Sequence, residues 1–572
     1  MDEIFGGQFM NIVTKCAVAS AVALAVSQIL HAGTAPYFVP LTEAETVEYP
    51  NSVDELNKPW TVPLGVKQTN LTSMDEIESD IGQSIVRVDA GRNSSMWDML
   101  GYDPSGEFIF IPHETSFGAG VSRYDVANDR SEVLFKGDSS GAISDAGFNS
   151  DNDFGAFDPV RWTSNGTLIT GEEWSGTGRL VEICNPLGDA PADPTASALK
   201  QGDCKRDASA QWRVLDGLPL SAHEGIAFSL KYPQKVMYFV DEDNTGSIYK
   251  TIFTKPGYYN KGQTFVLKVK GFAGDVSKNW NDPVNADQTR TGKALWVPIT
   301  NRYGKPLPGV QDPTENILDA NGDIVDAGYA GRLAADDVGG TPYGRPEDAT
   351  IGISKYGNEL IYVATTSENS VYSIEETKWG PYVRVFVSGD TPKNVGFKNT
   401  NAVLNSPDNL AIDALGNVYV IEDSPNTGTV GADGGDIWFA RDMNSDGVAE
   451  SLDHFMSLQV NRSEATGMIF HPVDPTKFVV AVQHPQSTDL AAVPGGFGDA
   501  LWEFDLKHVQ PPACEDSHRI SRDMYDHYYN HKQWYKWNKY TYNWVKSCSE
   551  QEDFNFIEAL INSERPNDFP KP

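Results

Sequence analysis

Carboxylates dominate the residues of this chain that could do chemistry, and they recur at matching places in a repeated pattern. Glu224 opens the run His223-Glu224-Gly225-Ile226-Ala227-Phe228. A turn at Pro233-Gln234-Lys235 follows, and a second apolar run, residues 236–240, ends in Asp241-Glu242-Asp243. If the two runs pair as an antiparallel hairpin, its open end carries Glu224 together with Asp241 and Asp243. Glu114 closes the run 107–112, Glu172 and Glu173 close 168–170, and Glu347, Asp408 and Glu464 open later runs. Several such carboxylates converging on one axis would repel one another unless a cation offset their charge. Oxygen-only donors favour calcium or another hard ion.

Arginine and histidine stand close to these acids in sequence. In Gly344-Arg345-Pro346-Glu347-Asp348 the proline predicts an extended Arg345, with Glu347 free to point into a channel. A guanidinium can clamp a phosphate or carboxylate through two parallel hydrogen bonds while a neighbouring carboxylate holds a metal. The same residues could equally make a structural ion pair. His113, His223 and His484 lie beside the acidic positions and could pass a proton to a leaving group or serve as hydrogen-bonded struts. Separately, Asp442, Asn444 and Asp446, followed by Gly447 and Glu450, alternate like the ligands of a calcium loop. The bidentate acid that closes an EF-hand loop is missing, so the segment predicts a structural calcium site in a blade connection, with an Asx-rich turn as the alternative. No Gly-x-Ser-x-Gly elbow or phosphate-cradling Gly-x-x-x-x-Gly-Lys motif occurs.

The elements that must position these groups are short strands. Six times a polar or acidic motif enters an apolar run, turns, and leaves through a second run, with turns roughly 60 residues apart. Strand-rich repeats of this size signal a β-propeller, whose blades stack radially around a channel. The reading is all-β: a six-bladed propeller over 36–508 with an insertion around 255–340. A degenerate seventh blade in that gap is the alternative.

Composition agrees. The 572 residues, 40% of them hydrophobic, can bury a large core, and 51 glycines and 34 prolines suit many turns. A net charge of −34 argues against nucleic acid or an anionic membrane as partner. Residues 1–35 resemble a signal peptide, Lys15 preceding an apolar stretch and small residues, with cleavage after Ala32 or Ala35 and a start at Met10 rather than Met1. No later stretch could span a bilayer. After cleavage four cysteines remain, and local pairing predicts Cys184–Cys204 and Cys514–Cys548 in an oxidising compartment. Residues 509–572 leave the propeller pattern as an aromatic-rich extension tied by the second disulfide.

The ordered set of motifs resembles the PhoX-type alkaline phosphatases over roughly residues 90–505. It includes His113-Glu114, Thr170-Gly171-Glu172-Glu173, His223-Glu224-Gly225, Arg345-Pro346-Glu347, Ser406-Pro407-Asp408-Asn409, Glu464-Ala465-Thr466-Gly467 and Gln483-His484-Pro485. The resemblance implies a six-bladed propeller that hydrolyses phosphate esters with iron and calcium ions. Glu114, Glu172, Glu224, Glu347 and Glu464 would be metal ligands and Arg345 would hold the phosphate. Where the family carries a metal-bridging cysteine this chain has Gly171, and residues 1–35 contain no arginine where the family uses a twin-arginine signal. Both departures point to calcium (Ca2+) without the iron (Fe3+) pair.

The sequence therefore predicts a periplasmic or secreted monomeric hydrolase acting on a small-molecule phosphate ester. A calcium-dependent lactonase or esterase, and a calcium-stabilised propeller used only for binding, are the alternatives.

Overall fold

The structure is a computed structural model that describes residues 37–44, 57–81, 95–115, 119–139, 141, 147–173, 178–318, 320, 330–423, 435–460, 463–483 and 497–510. Its strands are antiparallel meanders, each running outward from an inner strand. The inner strands are Gly101–Tyr102, Phe157–Trp162, Ile226–Phe228, Pro346–Ile353, Pro407–Ile412 and Glu464–Phe470, so the described residues make six blades. Each inner strand is followed in sequence by its hairpin partner, for example Ile226–Phe228 by Val236–Val240 with Ile226 opposite Phe239.

Six hydrophobic clusters lie between successive blades. Phe110 and Phe135 of the first blade pack on Phe157 and Trp212 of the second, and the series closes where Val479 and Leu501 of the sixth blade meet Trp97 and Ile109 beside the first. Fully burying one such side chain is worth about 1.5–3 kcal/mol, so these interfaces rather than strand propensity hold the ring. Backbone hydrogen bonds also close the ring, because the outer strand of the sixth blade is the N-terminal segment Lys67–Ser73, paired along Ala500–Asp505 from the other end of the domain. Further upstream, Tyr37 and Phe38 are buried between the fifth and sixth blades, where the Tyr37 hydroxyl meets that of Tyr419 at 2.6 Å.

The long gap between the third and fourth blades is not a further blade among the described residues. Residues 262–269 are the outer strand of the third blade. The following strand, Gly292–Pro298, pairs with it and, through Gly292 and Lys293, with Gly380–Ser388 of the fourth blade, fusing the two into one nine-stranded sheet. The remainder of the insertion includes a helix, α1 (Ala330–Val338), packed under the third blade through Ala334 and Ala335.

Local backbone geometry explains how acids reach the axis. Met96, Ala156, Arg345 and Ser406 have φ of 47°, 49°, 50° and 45°, and each lies two residues before an acid: Asp98, Asp158, Glu347 and Asp408. The left-handed conformation costs a non-glycine residue about 1–2 kcal/mol, a strain that the surroundings must over-determine. Around Arg345 they do so on both sides, since its N–H donates to the Asp243 carbonyl (3.0 Å) and its carbonyl accepts from Thr366 (3.1 Å). The sequence-based expectation of an extended Arg345 is thus corrected. Proline disfavours right-handed helical geometry before it, and the loop contacts select the left-handed alternative. In four of the inner strands the pairing register then shifts, between Phe157 and Val160, Pro346 and Ala349, Pro407 and Leu410, and Thr466 and Ile469. Such bulges re-aim side chains at strand ends.

Candidate metal centre

Each inner strand, or the segment two or three residues before it, brings one carboxylate to the same end of the channel: Asp98, Asp158, Glu224, Glu347, Asp408 and Glu464 in blade order. Second strands of the first two blades add Glu114 and Glu173. The acids fall into three groups, Glu114 with Asp98 and Asp158, Asp98 with Asp408 and Glu464, and Asp408 with Glu224 and Glu347. Within each, one ligand oxygen per residue lies within 4.8 Å of the others. Asp98 and Asp408 belong to two groups each, so the three form one continuous cluster.

The electrostatics of this cluster are those of a site built around positive charge. Burial, and then the neighbouring acids, pushes the carboxyls of Asp98, Glu114, Asp158, Glu224, Asp408 and Glu464 well above the ordinary range. Burial and then Glu242 raise Glu173 to about 7. Glu347 is raised to about 8 by burial, opposed in part by its contact with Glu224. Asp158 Oδ1, Glu224 Oε2 and Asp408 Oδ1 are buried with no hydrogen-bond donor among the described residues. Buried carboxylate oxygens without donors carry a large desolvation cost, and a cation would offset it. The residues fit a hard ion with oxygen ligands.

A layer of amides and hydroxyls fixes these acids from behind. Gln483 Nε2 donates to Asp98 Oδ2 at 2.9 Å, and the Thr466 hydroxyl sits between Asp98 and Asn409. Asp348, next in the chain to Glu347, faces the channel interior instead. It accepts from Arg161 Nη2 (3.0 Å) and from the backbone N–H of Leu410 (3.0 Å).

The remaining sequence-derived candidates are distributed differently. Strand alternation separates Glu172 from Glu173: Glu173 meets Glu114, whereas Glu172 is fully buried against Arg179, whose Nε and Nη2 donate to it at 2.9 and 3.0 Å. Asp241 accepts from Arg332 Nε and Nη2 of α1 (2.8 and 2.9 Å), and Asp243 pairs with Arg332 Nη1 at 2.9 Å. Asp442 accepts the backbone N–H groups of Asn444, Asp446 and Gly447, forming an Asx-type turn. Lys355 Nζ, from the adjacent blade, lies 2.6 Å from Asn444 Oδ1 and 3.3 Å from Asp446 Oδ2. His223 is buried, its Nε2 donating to the Pro219 carbonyl (2.9 Å), and burial lowers its pKa to about 4. Burial likewise lowers His113 to about 3, and its Nε2 meets the Ser122 hydroxyl at 2.6 Å. Cys184 and Cys204 form the expected disulfide. His484, Cys514 and Cys548 lie outside the described residues.

Asp98 and Asp158 are the members of the cluster that sequence reading passed over. Each follows an aromatic residue, Trp97 or Phe157, and neither stands in a conspicuous charged motif. The signal available was the repeat itself, because every blade's inner strand should open with an acid if four of them do.

Arg345 sits at the rim of the cluster, about one third exposed at 36%. Its Nε donates to Glu242 Oε1 and lies 3.3 Å from Glu347 Oε1. Burial works against its charge, but Glu347 and Glu242 outweigh it and keep the guanidinium firmly protonated.

Residues 215–486 match the family model of alkaline phosphatase PhoX. Over that span, a little under half of the chain, the sequence is similar to the PhoX family. The match spans the third to sixth blades and so includes Glu224, Arg345, Glu347, Asp408 and Glu464. The solved structure of Pseudomonas fluorescens PhoX in complex with vanadate, a transition state analogue, is similar with a TM-score of 0.52 and 16% identity, covering 82% of this chain and 97% of that one. A Xanthomonas campestris gluconolactonase is similar at a TM-score of 0.35 and 10% identity, covering 82% of this chain and 98% of that one. No curated protein matches the chain. At these identities the structural likeness speaks to the propeller fold.

Gly171, which stands where the PhoX resemblance calls for a bridging cysteine, does not adjoin open space. A Cβ there would meet His223 Cβ at 2.7 Å and Leu180 Cδ2 at 2.8 Å. The residues at this position therefore do not fit a thiolate-bridged iron pair, whereas the carboxylates around the axis fit a hard cation.

Proposed function

We propose that this PhoX-like propeller is an exported phosphatase that hydrolyses small-molecule phosphate esters at a calcium cluster in the channel mouth. The observation that carries the reading is the arrangement at that mouth. A buried ring of carboxylates with undonated oxygens adjoins a single arginine, about one third exposed, among the described residues of the cluster. Glu224, Glu347 and Asp408, Asp98 and Glu464, and Glu114 with Asp158 would hold the calcium ions. Bound calcium would supply Lewis-acid polarisation of the phosphoryl group and a more acidic water. Arg345 binds the non-bridging phosphoryl oxygens and stabilises the charge that grows on them. Glu347 and Glu242 keep that guanidinium at the rim, and the Gln483–Asp98–Thr466–Asn409 layer holds the acids in place without reorganisation. Proton delivery to the leaving group does not suit His113 or His223, whose depressed pKa values leave them neutral at physiological pH and whose Nε2 atoms are committed to Ser122 and Pro219. His484 keeps that role in this reading.

Export is supported by the Cys184–Cys204 disulfide, which fits an oxidising compartment. It is also supported by the burial of Tyr37 and Phe38, which lets a chain cut after Ala32 or Ala35 keep its whole core. No helix among the described residues is long and apolar enough to cross a membrane.

The test is hydrolysis of p-nitrophenyl phosphate by calcium-loaded protein. Arg345→Ala is expected to lower kcat/KM by about a hundredfold or more with the fold intact. Near-normal turnover would remove Arg345 from the reaction, and turnover of lactones but not phosphate esters would replace the phosphatase reading altogether.

A further inference from the structure

Arg345 is held by one edge only. Its Nε donates to Glu242 and approaches Glu347, while neither Nη1 nor Nη2 donates a hydrogen bond to any described residue. An arginine gripped by its Nε keeps its two terminal nitrogens side by side, the fork that matches two oxygens of a phosphoryl group. Glu242 is 14% exposed and has little freedom to move, because the loop that carries it is pinned at several points. Its own N–H donates to the Ala222 carbonyl (3.0 Å), and its neighbours Asp241 and Asp243 are bonded to Arg332 of α1. The Asp243 carbonyl accepts the Arg345 N–H, so the loop of Glu242 and the loop of Arg345 are tied backbone to backbone.

The insertion buttresses both loops from outside. Trp280 donates its backbone N–H to the Asn244 carbonyl (2.8 Å) and its indole Nε1 to Asn244 Oδ1 (3.2 Å). Glu368 accepts the Gly344 N–H (2.8 Å) and pairs with Arg290 of the insertion (3.0 Å), which lies over the Trp280 ring. Arg290, Trp280 and Arg332 thus all converge on the two short segments that set where Arg345 points. Nothing in the blade repeat requires them. A group that binds in the reaction must be held to within about 0.5 Å by its supporting shell.

We propose that Glu242 is the positioning residue of Arg345, holding it side-on so that its terminal fork is presented to phosphate, and that the insertion exists at this place to fix the pair. The inference rests on the phosphatase reading of Arg345. It makes Glu242 act through Arg345 rather than on the substrate or a metal.

The experiment measures inorganic phosphate binding to the full-length calcium-loaded protein by calorimetry, together with KM and kcat for p-nitrophenyl phosphate. Glu242→Ala is expected to weaken phosphate binding and raise KM by about tenfold, with a smaller loss in kcat and unchanged calcium content. Glu242→Gln, whose amide oxygen still accepts from Nε, should recover most of the affinity. Combining Glu242→Ala with Arg345→Ala should cost no more than Arg345→Ala alone. Should Glu242→Ala not fold, Glu242→Asp keeps the charge but is one methylene too short to reach Nε, and should weaken phosphate binding in the same way. Unchanged or tighter phosphate binding in either variant, or additive losses in the double variant, overturns the positioning role while leaving the phosphatase reading standing. Unchanged phosphate binding in Arg345→Ala removes Arg345 from the phosphate site and overturns the positioning role with it, and absent p-nitrophenyl phosphate turnover by the unaltered protein overturns the phosphatase reading.

Discussion

At the residue scale, the two acids shared between groups should matter most. Asp408 contributes to two of the three groups and Glu114 to one. Replacing Asp408 by Asn is therefore expected to remove more bound calcium per chain than replacing Glu114 by Gln, read by mass-spectrometric metal analysis of the desalted proteins. Equal losses would mean that the groups do not share Asp408. Gly171 makes a second prediction. Because a Cβ there would press on His223 and Leu180 at under 3 Å, Gly171→Cys should destabilise the fold by about 1–3 kcal/mol, as overpacked cores do. It should not gain iron. Iron uptake with unchanged thermal stability would contradict the contact geometry.

At the scale of the strand and loop, the acids are delivered by a repeated local device. A left-handed residue turns the chain into the inner strand, the acid follows two positions on, and a bulge comes next. Residues as different as Met96, Ala156, Arg345 and Ser406 occupy the left-handed position, which is why no glycine or asparagine signal marked it in the sequence. The hairpin partners, in contrast, were legible from alternating apolar runs and their turns. The Cys184–Cys204 disulfide joins the end of the second blade's third strand, Leu180–Ile183, to the loop that leads to its outer strand, Trp212–Val214, remote in the blade from its inner acid, Asp158. With a sequence separation of 20 residues, its removal by Cys184→Ser is expected to cost about 3 kcal/mol in denaturant unfolding. The kcat of the folded protein for p-nitrophenyl phosphate should stay unchanged, and a lost kcat would tie this edge to the site.

At the scale of the whole molecule, the cluster links stability to pH and to calcium. The carboxyls of Glu173 and Glu347 titrate near 4.5 in an unfolded chain but at about 7 and about 8 in the folded one. A raised carboxyl pKa means that the folded state binds more protons than the unfolded state between these values, so stability falls as pH rises across that window. Calcium-free protein should therefore melt at a lower temperature at pH 8 than at pH 5. Calcium should reverse the trend, release protons on binding, and bind more tightly as pH rises through the window. A calcium-free melting temperature that climbs with pH would show that these acids are not the destabilising groups. The ring resists this repulsion through its six interfaces and the N-terminal strand that completes the last blade.

Periodicity and turn chemistry in the sequence were enough for an all-β propeller, for the ends of the hairpins, and for four of the six inner acids, because each of these is encoded within one local repeat. The local cysteine spacing likewise announced Cys184–Cys204. Tertiary structure alone decided what depends on groups brought together from distant blades. It added Asp98 and Asp158 to the cluster, and it withdrew Glu172 and Asp241 into ion pairs with Arg179 and Arg332. It also placed Lys355 against Asn444 and Asp446, and turned Arg345 left-handed beside Glu242. A carboxylate's role follows from which charge lies opposite it, and in a closed ring that partner comes from another part of the chain.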